Sequence, residues 1–174
     1  MWRFGFAILW VGAVTCACGR DGARTDAEAS SHSRTSAQTA VDACSLLTLA
    51  EAEAILGRLL GDASGFTDGG KSMCTYAAVD TDTTVTVELW TRRQPASSAE
   101  FARMVADGEE AGGRVEPVED LRGPAAWHDF GSGAINLWLD VFQRTERADY
   151  RLRVESGSLA AAKALAEKAL GRLP

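Results

Sequence analysis

Two stretches of this 174-residue chain, residues 84–91 and 134–142, alternate strictly between large aliphatic side chains and other side chains. Successive side chains of a β-strand point to opposite faces of the sheet, so this period of two predicts strands that bury one face. The aliphatic positions are Val85, Val87 and Leu89 in the first stretch, and Ile135, Leu137, Leu139 and Val141 in the second. A chain with this pattern folds around a sheet whose two faces differ in chemistry.

Start signals predict three helices around these strands. Thr48 with Glu51, and Ser97 with Glu100, each form a capping box, in which a hydroxyl and a carboxylate satisfy free backbone N–H groups. Ser158 precedes a third segment, rich in Ala and Leu, whose apolar residues recur at helical spacing. Further strands are predicted at residues 73–78, 126–130 and 150–154. Because short turns join successive strands, the predicted fold class is α+β, with a mostly antiparallel sheet packed with helices.

The N-terminus carries the signature of export. Residues 4–15 contain no ionisable side chain, and Arg3 precedes them. A segment of this length is too short to cross a hydrocarbon layer of about 30 Å as a lasting helix. A positive start, a short apolar segment and small residues are typical of a secretory signal peptide, which we predict over residues 1–17.

Two cysteines, Cys16 and Cys18, end the apolar segment. Ala17 precedes Cys18, whereas the bulkier Thr15 precedes Cys16, and a small residue before the cysteine resembles the lipobox of bacterial lipoproteins. The resemblance implies that Cys18 is lipidated and becomes the first residue of the mature protein. Two or more acyl chains hold a protein stably on a membrane. The expected location is therefore the cell membrane or outer membrane, on the extracytoplasmic side; a Cys-x-Cys metal or redox pair is the alternative.

The remaining chain divides into a tether and one domain. Residues 18–41 are rich in Ser, Thr and Ala without apolar periodicity, which predicts a disordered, lipid-anchored tether. Residues 42–174 are long enough for a single α+β domain with its own core. The net charge of −6 argues against a nucleic-acid partner. The expected partners are the membrane, through the anchor, and either an apolar ligand or a protein of the cell envelope.

Cys44 and Cys74 are the cysteines of the predicted domain. In an exported protein, a lone pair of cysteines predicts a disulfide. Closing a loop of about 30 residues stabilises a fold by roughly 3.5 kcal/mol. The alternative is a catalytic thiol, which needs a neighbouring base, and the one histidine of residues 42–174 is His128.

The segment DACSLLTLAEAEAILG at residues 42–57, followed by CTY at residues 74–76, resembles a family of actinobacterial lipoproteins built on a domain of unknown function. The resemblance covers most of residues 42–174 and implies a PsbP-like α/β sandwich without an established catalytic residue. Pro124 follows Gly123 where the family has aspartate. The family motif combines a helix cap, core leucines and paired cysteines, which indicates a structural role for these residues.

Aromatic residues occupy the less apolar face of the predicted strands. Trp138 and Phe142 share that face of their strand, and Trp90 has the corresponding position in residues 84–91. We predict that Trp127 joins them and that the four residues line a groove for a ligand or partner. The alternative is a second layer of helices over the same face.

These observations favour a non-catalytic lipoprotein with a ligand-binding or accessory role in the envelope. A purely structural envelope protein is the first alternative, and a hydrolase that uses His128 is the second. Neither a glycine-rich phosphate loop nor a pair of histidines at metal-binding spacing occurs in the sequence, so we expect no cofactor and no metal. On a strand, the chain neighbours of His128 point to the opposite face and cannot orient its ring.

Overall fold

The computed structural model describes residues 40–58, 60–79, 84–131 and 136–174. The predicted signal peptide, Cys18 and nearly all of the tether lie outside these ranges, as do Ile135 and the turns predicted at residues 80–83 and 131–133, apart from Gly131. The chain divides into two units, Met1–Ala37 and Gln38–Pro174, and the described residues all belong to the second. Val41 packs against the core, so the folded unit begins before the predicted boundary at residue 42.

The second unit contains one antiparallel sheet and three α-helices in its described part. The helices are α1 (Leu49–Leu56), α2 (Ser98–Glu110) and α3 (Leu159–Leu170), preceded by a 3₁₀ turn at Ala43–Ser45. The strands are β1 (Ser64–Asp68), β2 (Lys71–Ala77), β3 (Thr84–Arg92), β4 (Arg114–Pro117), β5 (Ala125–Asp129), β6 (Leu137–Arg144) and β7 (Asp149–Glu155). Their order across the sheet is β1-β2-β3-β7-β6-β5-β4. The predicted α+β class is confirmed.

Each helix begins at the predicted side chain. The hydroxyls of Thr48, Ser97 and Ser158 accept hydrogen bonds from the backbone N–H groups three residues further on. At α1 the Glu51 carboxylate also accepts from the Thr48 N–H, which completes the capping box. Gly57 ends α1 with a φ of +66°, a left-handed conformation that glycine adopts without steric cost. Each of these helices is too short or too polar to pass through a lipid bilayer.

The sequence did not indicate the two edge strands, β1 and β4. All five residues of β1 are exposed, and Val115 is the one buried residue of β4. An edge strand has a neighbour on one side only, and when it buries few side chains it lacks the aliphatic alternation that marks a central strand. The central strands β3 and β6 carry that alternation, which predicts both of them.

The core lies on one face of the sheet, under α1, α3 and the 3₁₀ turn. Cross-strand pairing carries one row of buried residues across it, from Cys74 through Val87 and Val154 to Leu139. The Tyr76 hydroxyl, also buried here, donates to the Leu47 carbonyl at 2.6 Å. This face therefore supplies the packing that stabilises the fold and leaves the second face for other chemistry.

The predicted disulfide between Cys44 and Cys74 is present. It joins the 3₁₀ turn to β2, across 30 residues of sequence. Strand β1 passes closely over it, because a Cβ added at Gly65 would lie 2.6 Å from the Cys44 sulfur. Glycine is therefore required at this crossing.

The folded unit is self-contained. Gln38–Pro174 includes the whole described sheet, the helices, the disulfide and the hydrophobic core. Because the described core lies entirely within Gln38–Pro174, we expect this segment to fold without residues 1–37.

Candidate functional site

The second face of the sheet carries the aromatic residues singled out in the sequence. In the strand register, Trp90 lies opposite Arg151, and Arg151 lies opposite Phe142. Two rows further along the same face, Trp138 lies opposite Glu155. Residues paired across strands point to the same side, so Trp90, Trp138 and Phe142 share this face. We call it the Trp–Arg face and define it by these residues: Trp90, Trp138, Phe142, Asp140, Arg151 and Arg153.

Trp127 does not belong to this group, contrary to the sequence prediction. It pairs with Leu139, on the core face, and is part of the hydrophobic core. Its strand, β5, is buried on both sides over four consecutive residues. A strand buried on both faces shows no polar alternation, so the sequence alone could not assign Trp127 to a face.

Two arginines of β7 lie between the aromatic rings. The Arg153 guanidinium is 4.7 Å from the ring centroid of Trp138 and 5.7 Å from that of Trp90. The Arg151 guanidinium is 5.1 Å from the centroid of Trp90 and 5.7 Å from that of Phe142. These distances are within the range of cation–π attraction. Rings and guanidinium groups thus form one interleaved layer.

Asp140 anchors both arginines from beneath this layer. Its side chain is fully buried, and its two oxygens accept hydrogen bonds from Arg151 and Arg153 at 2.9–3.2 Å. The indole N–H of Trp138 donates to the same carboxylate at 3.1 Å. Burial alone would raise the pKa of Asp140, but the hydrogen bonds and charges of the two guanidinium groups outweigh burial and lower it. The carboxylate is therefore ionised and fixes the plane of each arginine.

His128 lies at the β5 end of the same face. Its ring is buried and stacks on Trp138, with centroids 5.1 Å apart, and its Nε2 is 3.4 Å from an Asp140 oxygen. Neither ring nitrogen makes a hydrogen bond within the described part of the chain. Burial lowers the pKa of His128, although the Asp140 charge opposes this effect. The carboxylate beside His128 thus belongs to Asp140 on the neighbouring strand β6, whereas the sequence prediction took into account only the chain neighbours of His128.

Helix α2 covers this β4–β5 end of the face. A Cβ added at Gly108 would lie 2.6 Å from a Val115 methyl and 3.4 Å from Nδ1 of His128. The absence of a side chain at Gly108 therefore lets the helix pack directly on the sheet. Phe101, one turn into α2, meets Phe142 edge to face with centroids 6.2 Å apart.

Away from α2, the face continues to the opposite edge of the sheet through residues that the sequence analysis missed. Phe66 pairs with Met73, Met73 pairs with Glu88, and Glu88 pairs with Arg153, so all four side chains point the same way. Phe66 is 48% exposed, although it is a large apolar side chain. The signal that could have found it is cross-strand register, which requires β1 to be known.

Glu155 is a further titratable residue beside the aromatic rings. It pairs with Trp138 on one side and with Thr86 on the other. Burial, followed by the neighbouring Glu88 charge, raises its pKa, against the opposing charge of Arg153. Its carboxyl group thus takes up a proton more readily than an ordinary glutamate.

One cleft adjoins the face at Phe142. Its volume is about 350 Å³, and Arg122, Pro124 and Tyr150 contribute to its lining. Phe142, one of the residues predicted to form the site, thus borders this cleft. Within the described ranges, no group of His, Cys, Asp and Glu side chains is arranged to hold a metal ion.

The residues that carry the family resemblance have structural contacts here. Cys44 and Cys74 form the disulfide, Thr48 caps α1, and Tyr76 donates to a buried carbonyl. No family model, curated protein or solved structure matches the chain.

Proposed function

We propose that this chain is an exported lipoprotein, of the kind its sequence resembles, anchored through Cys18 on the extracytoplasmic side of the cell membrane or outer membrane. Its folded unit is a non-catalytic accessory module that docks a protein of the cell envelope through the Trp–Arg face. The Cys44–Cys74 disulfide supports export, because disulfides form and persist in oxidising compartments.

The Trp–Arg face is the observation that carries the docking role. Tryptophan and arginine are the residues most enriched among those that dominate binding energy at protein interfaces. Here two tryptophans and two arginines form one layer, and the arginines keep 26% and 22% of their side chains exposed. The buried Asp140 holds the guanidinium planes in place before a partner arrives, which reduces the entropy lost on binding.

Phe66 extends this layer with exposed apolar area. Aromatic side chains at the centre of an interface gain most from leaving water. Ionic contacts on the face are largely compensated internally, as in the Lys71–Glu88 pair at 2.8 Å. A partner therefore contacts mainly the flat faces of the rings and guanidinium groups, and the net electrostatic attraction between the two proteins is small.

Photo-crosslinking of the full chain in its own envelope tests this role. A photoreactive phenylalanine analogue at Phe66 should give one defined heavier protein adduct. The matched control is the same analogue at Val79, which is also exposed and apolar, at 68%, but lies beyond the end of β2. An adduct with lipid alone would favour the apolar-ligand alternative, and equal products at both positions would contradict the docking role.

The anchor has a separate test. Lipidation attaches the acyl group to a cysteine sulfur, so Cys18→Ser should abolish incorporation of a clickable fatty acid into the full chain. Cys16→Ser is the matched control and should keep the label. Undiminished label on the Cys18→Ser chain would show that the wrong cysteine was assigned.

A further inference from the structure

A second cleft opens on the core side of the sheet, where α3 begins. It has a volume of about 290 Å³ and lies between the end of α1, the end of β2 and the start of α3. Ile55, Leu60 and Val85 give it apolar walls, and Arg58 and Ser156 also contribute to the lining. Its volume is close to the lower limit of about 300 Å³ for small-molecule sites.

Ser156 is the unexplained group of this cleft. The residue is 1% exposed, and its hydroxyl makes no hydrogen bond within the described part of the chain. A buried polar group without a partner costs about 1–3 kcal/mol. Ser156 follows β7 directly and has the same strand parity as Val154, so it lies on the core side, at the cleft. A hydrogen-bond acceptor in the cleft would satisfy it.

The start of α3 adds a second attraction for an anion. The first N–H groups of a helix have no partner within the helix, and the helix dipole places partial positive charge there. Ser158 caps the N–H of Ala161, and Gly157, Ser158 and Ala161 of this first turn line the cleft. A Cβ added at Gly157 would meet open space, so nothing at that position blocks the approach to this backbone.

The charge and polarity of the lining agree with such a ligand. No Asp or Glu is among the described residues that line the cleft, so no carboxylate of the lining repels an anion there. Apolar walls on one side and an anion-binding end on the other define an amphipathic site.

We propose that this cleft binds a single acyl chain with an anionic head group. The chain packs against Ile55, Leu60 and Val85, and the head group accepts a hydrogen bond from the Ser156 hydroxyl at the positive end of the α3 dipole. This site is independent of the docking role of the Trp–Arg face, so either can fail without the other.

Calorimetric titration of the Gln38–Pro174 segment tests the site, with probes below their micellar concentrations. Decanoate should bind in a saturable way, decanol at least about tenfold more weakly, and acetate not at all, because head and tail both contribute. Decanoyl lysophosphatidic acid carries a phosphate head group on the same acyl chain. Tighter binding than decanoate would identify a phospholipid-derived ligand, and weaker binding would identify a free fatty acid. Absence of saturable binding by both anionic amphiphiles would overturn the proposal.

Variants locate the binding site. Ser156→Ala should weaken decanoate binding about tenfold and leave decanol unchanged, without lowering the melting temperature, because it removes an unpaired hydroxyl. Unchanged affinity for decanoate would show that the head group lies elsewhere, which overturns the proposed geometry.

A second pair of variants tests the walls. Ala161→Leu should fill the cleft and abolish binding of both decyl probes, whereas Ala160→Leu, at the exposed neighbour outside the lining, should not. Circular dichroism verifies that both variants are folded. Equal loss of binding in both would contradict a site in this cleft.

Discussion

A variant carrying Arg151→Gln and Arg153→Gln is expected to have a free energy of unfolding about 3–5 kcal/mol lower than that of the wild-type segment. Asp140 is fully buried and would retain the Trp138 indole N–H as its remaining hydrogen-bond donor. An uncompensated buried carboxylate is among the most costly defects that a substitution creates. Urea denaturation of Gln38–Pro174 at neutral pH measures the loss.

The pH dependence of this variant separates a charge effect from lost packing. In the wild type the pKa of Asp140 lies below its ordinary value of 3.8, so the carboxylate contributes stability above that pH and loses it as the pH falls. Without the guanidinium groups, burial raises the pKa of Asp140 in the folded state above that in the unfolded state. The variant should therefore regain stability as the pH falls from about 7 to about 5, whereas the wild type keeps Asp140 ionised over this range.

Arg144→Gln is the matched control. Arg144 also pairs with an aspartate, Asp149 at 3.0 Å, but its side chain is 67% exposed. Exposed ion pairs contribute about 0–1 kcal/mol, so this variant should unfold close to the wild type. If the double variant behaved like this control, Asp140 would not depend on its arginines.

Replacing both Cys44 and Cys74 with serine should lower the free energy of unfolding by about 3.5 kcal/mol and the melting temperature by about 10 °C or more. The disulfide restricts the unfolded chain over its 30-residue span, and without it the unfolded state gains entropy. Thermal unfolding followed by circular dichroism measures the change. In the wild-type segment, exported to an oxidising compartment, thiol titration in denaturant without reductant should detect no free cysteine.

The single variants supply the control for packing. Cys44→Ser and Cys74→Ser each break the same bond, so each should lose nearly as much stability as the double variant. Additive losses from the two single variants would show that the sulfur atoms act through separate contacts. Two reactive thiols in the exported wild type would contradict the disulfide itself.

The central part of the fold could be predicted because its chemistry is local. Strand β3 and strand β6 alternate along the sequence, and Thr48 with Glu51 marks the start of α1 within four residues. Edge strand β1 carries no such pattern, because all of its residues are exposed. The sequence signal for a strand is therefore a signal of burial, and it fails where burial is absent.

The candidate site could be predicted only in part, because its chemistry depends on register. Trp138 and Asp140 share a face by simple alternation, which the sequence shows. That Arg151 and Arg153 lie between the rings follows from the pairing of β7 with β3 and β6. From sequence alone, arginines at alternate positions of a strand indicate a face exposed to solvent. The cleft at Ser156 is built from four separate segments, so no local pattern around Ser156 could predict it.

The strand order also determines when this sheet can be completed during synthesis. One half of the sheet consists of β1, β2 and β3, and the other of β4, β5, β6 and β7. The two halves join where β3 pairs with β7, the strand that directly precedes α3 near the C-terminus. Pairing of Thr86 with Glu155 closes a long stretch of chain, and contacts of such separation form slowly. A chain that crosses a membrane from its N-terminus thus carries an unfinished sheet, with the inner edge of β3 unpaired, until nearly all of it has emerged. Late completion would keep the chain unfolded during the export that we propose.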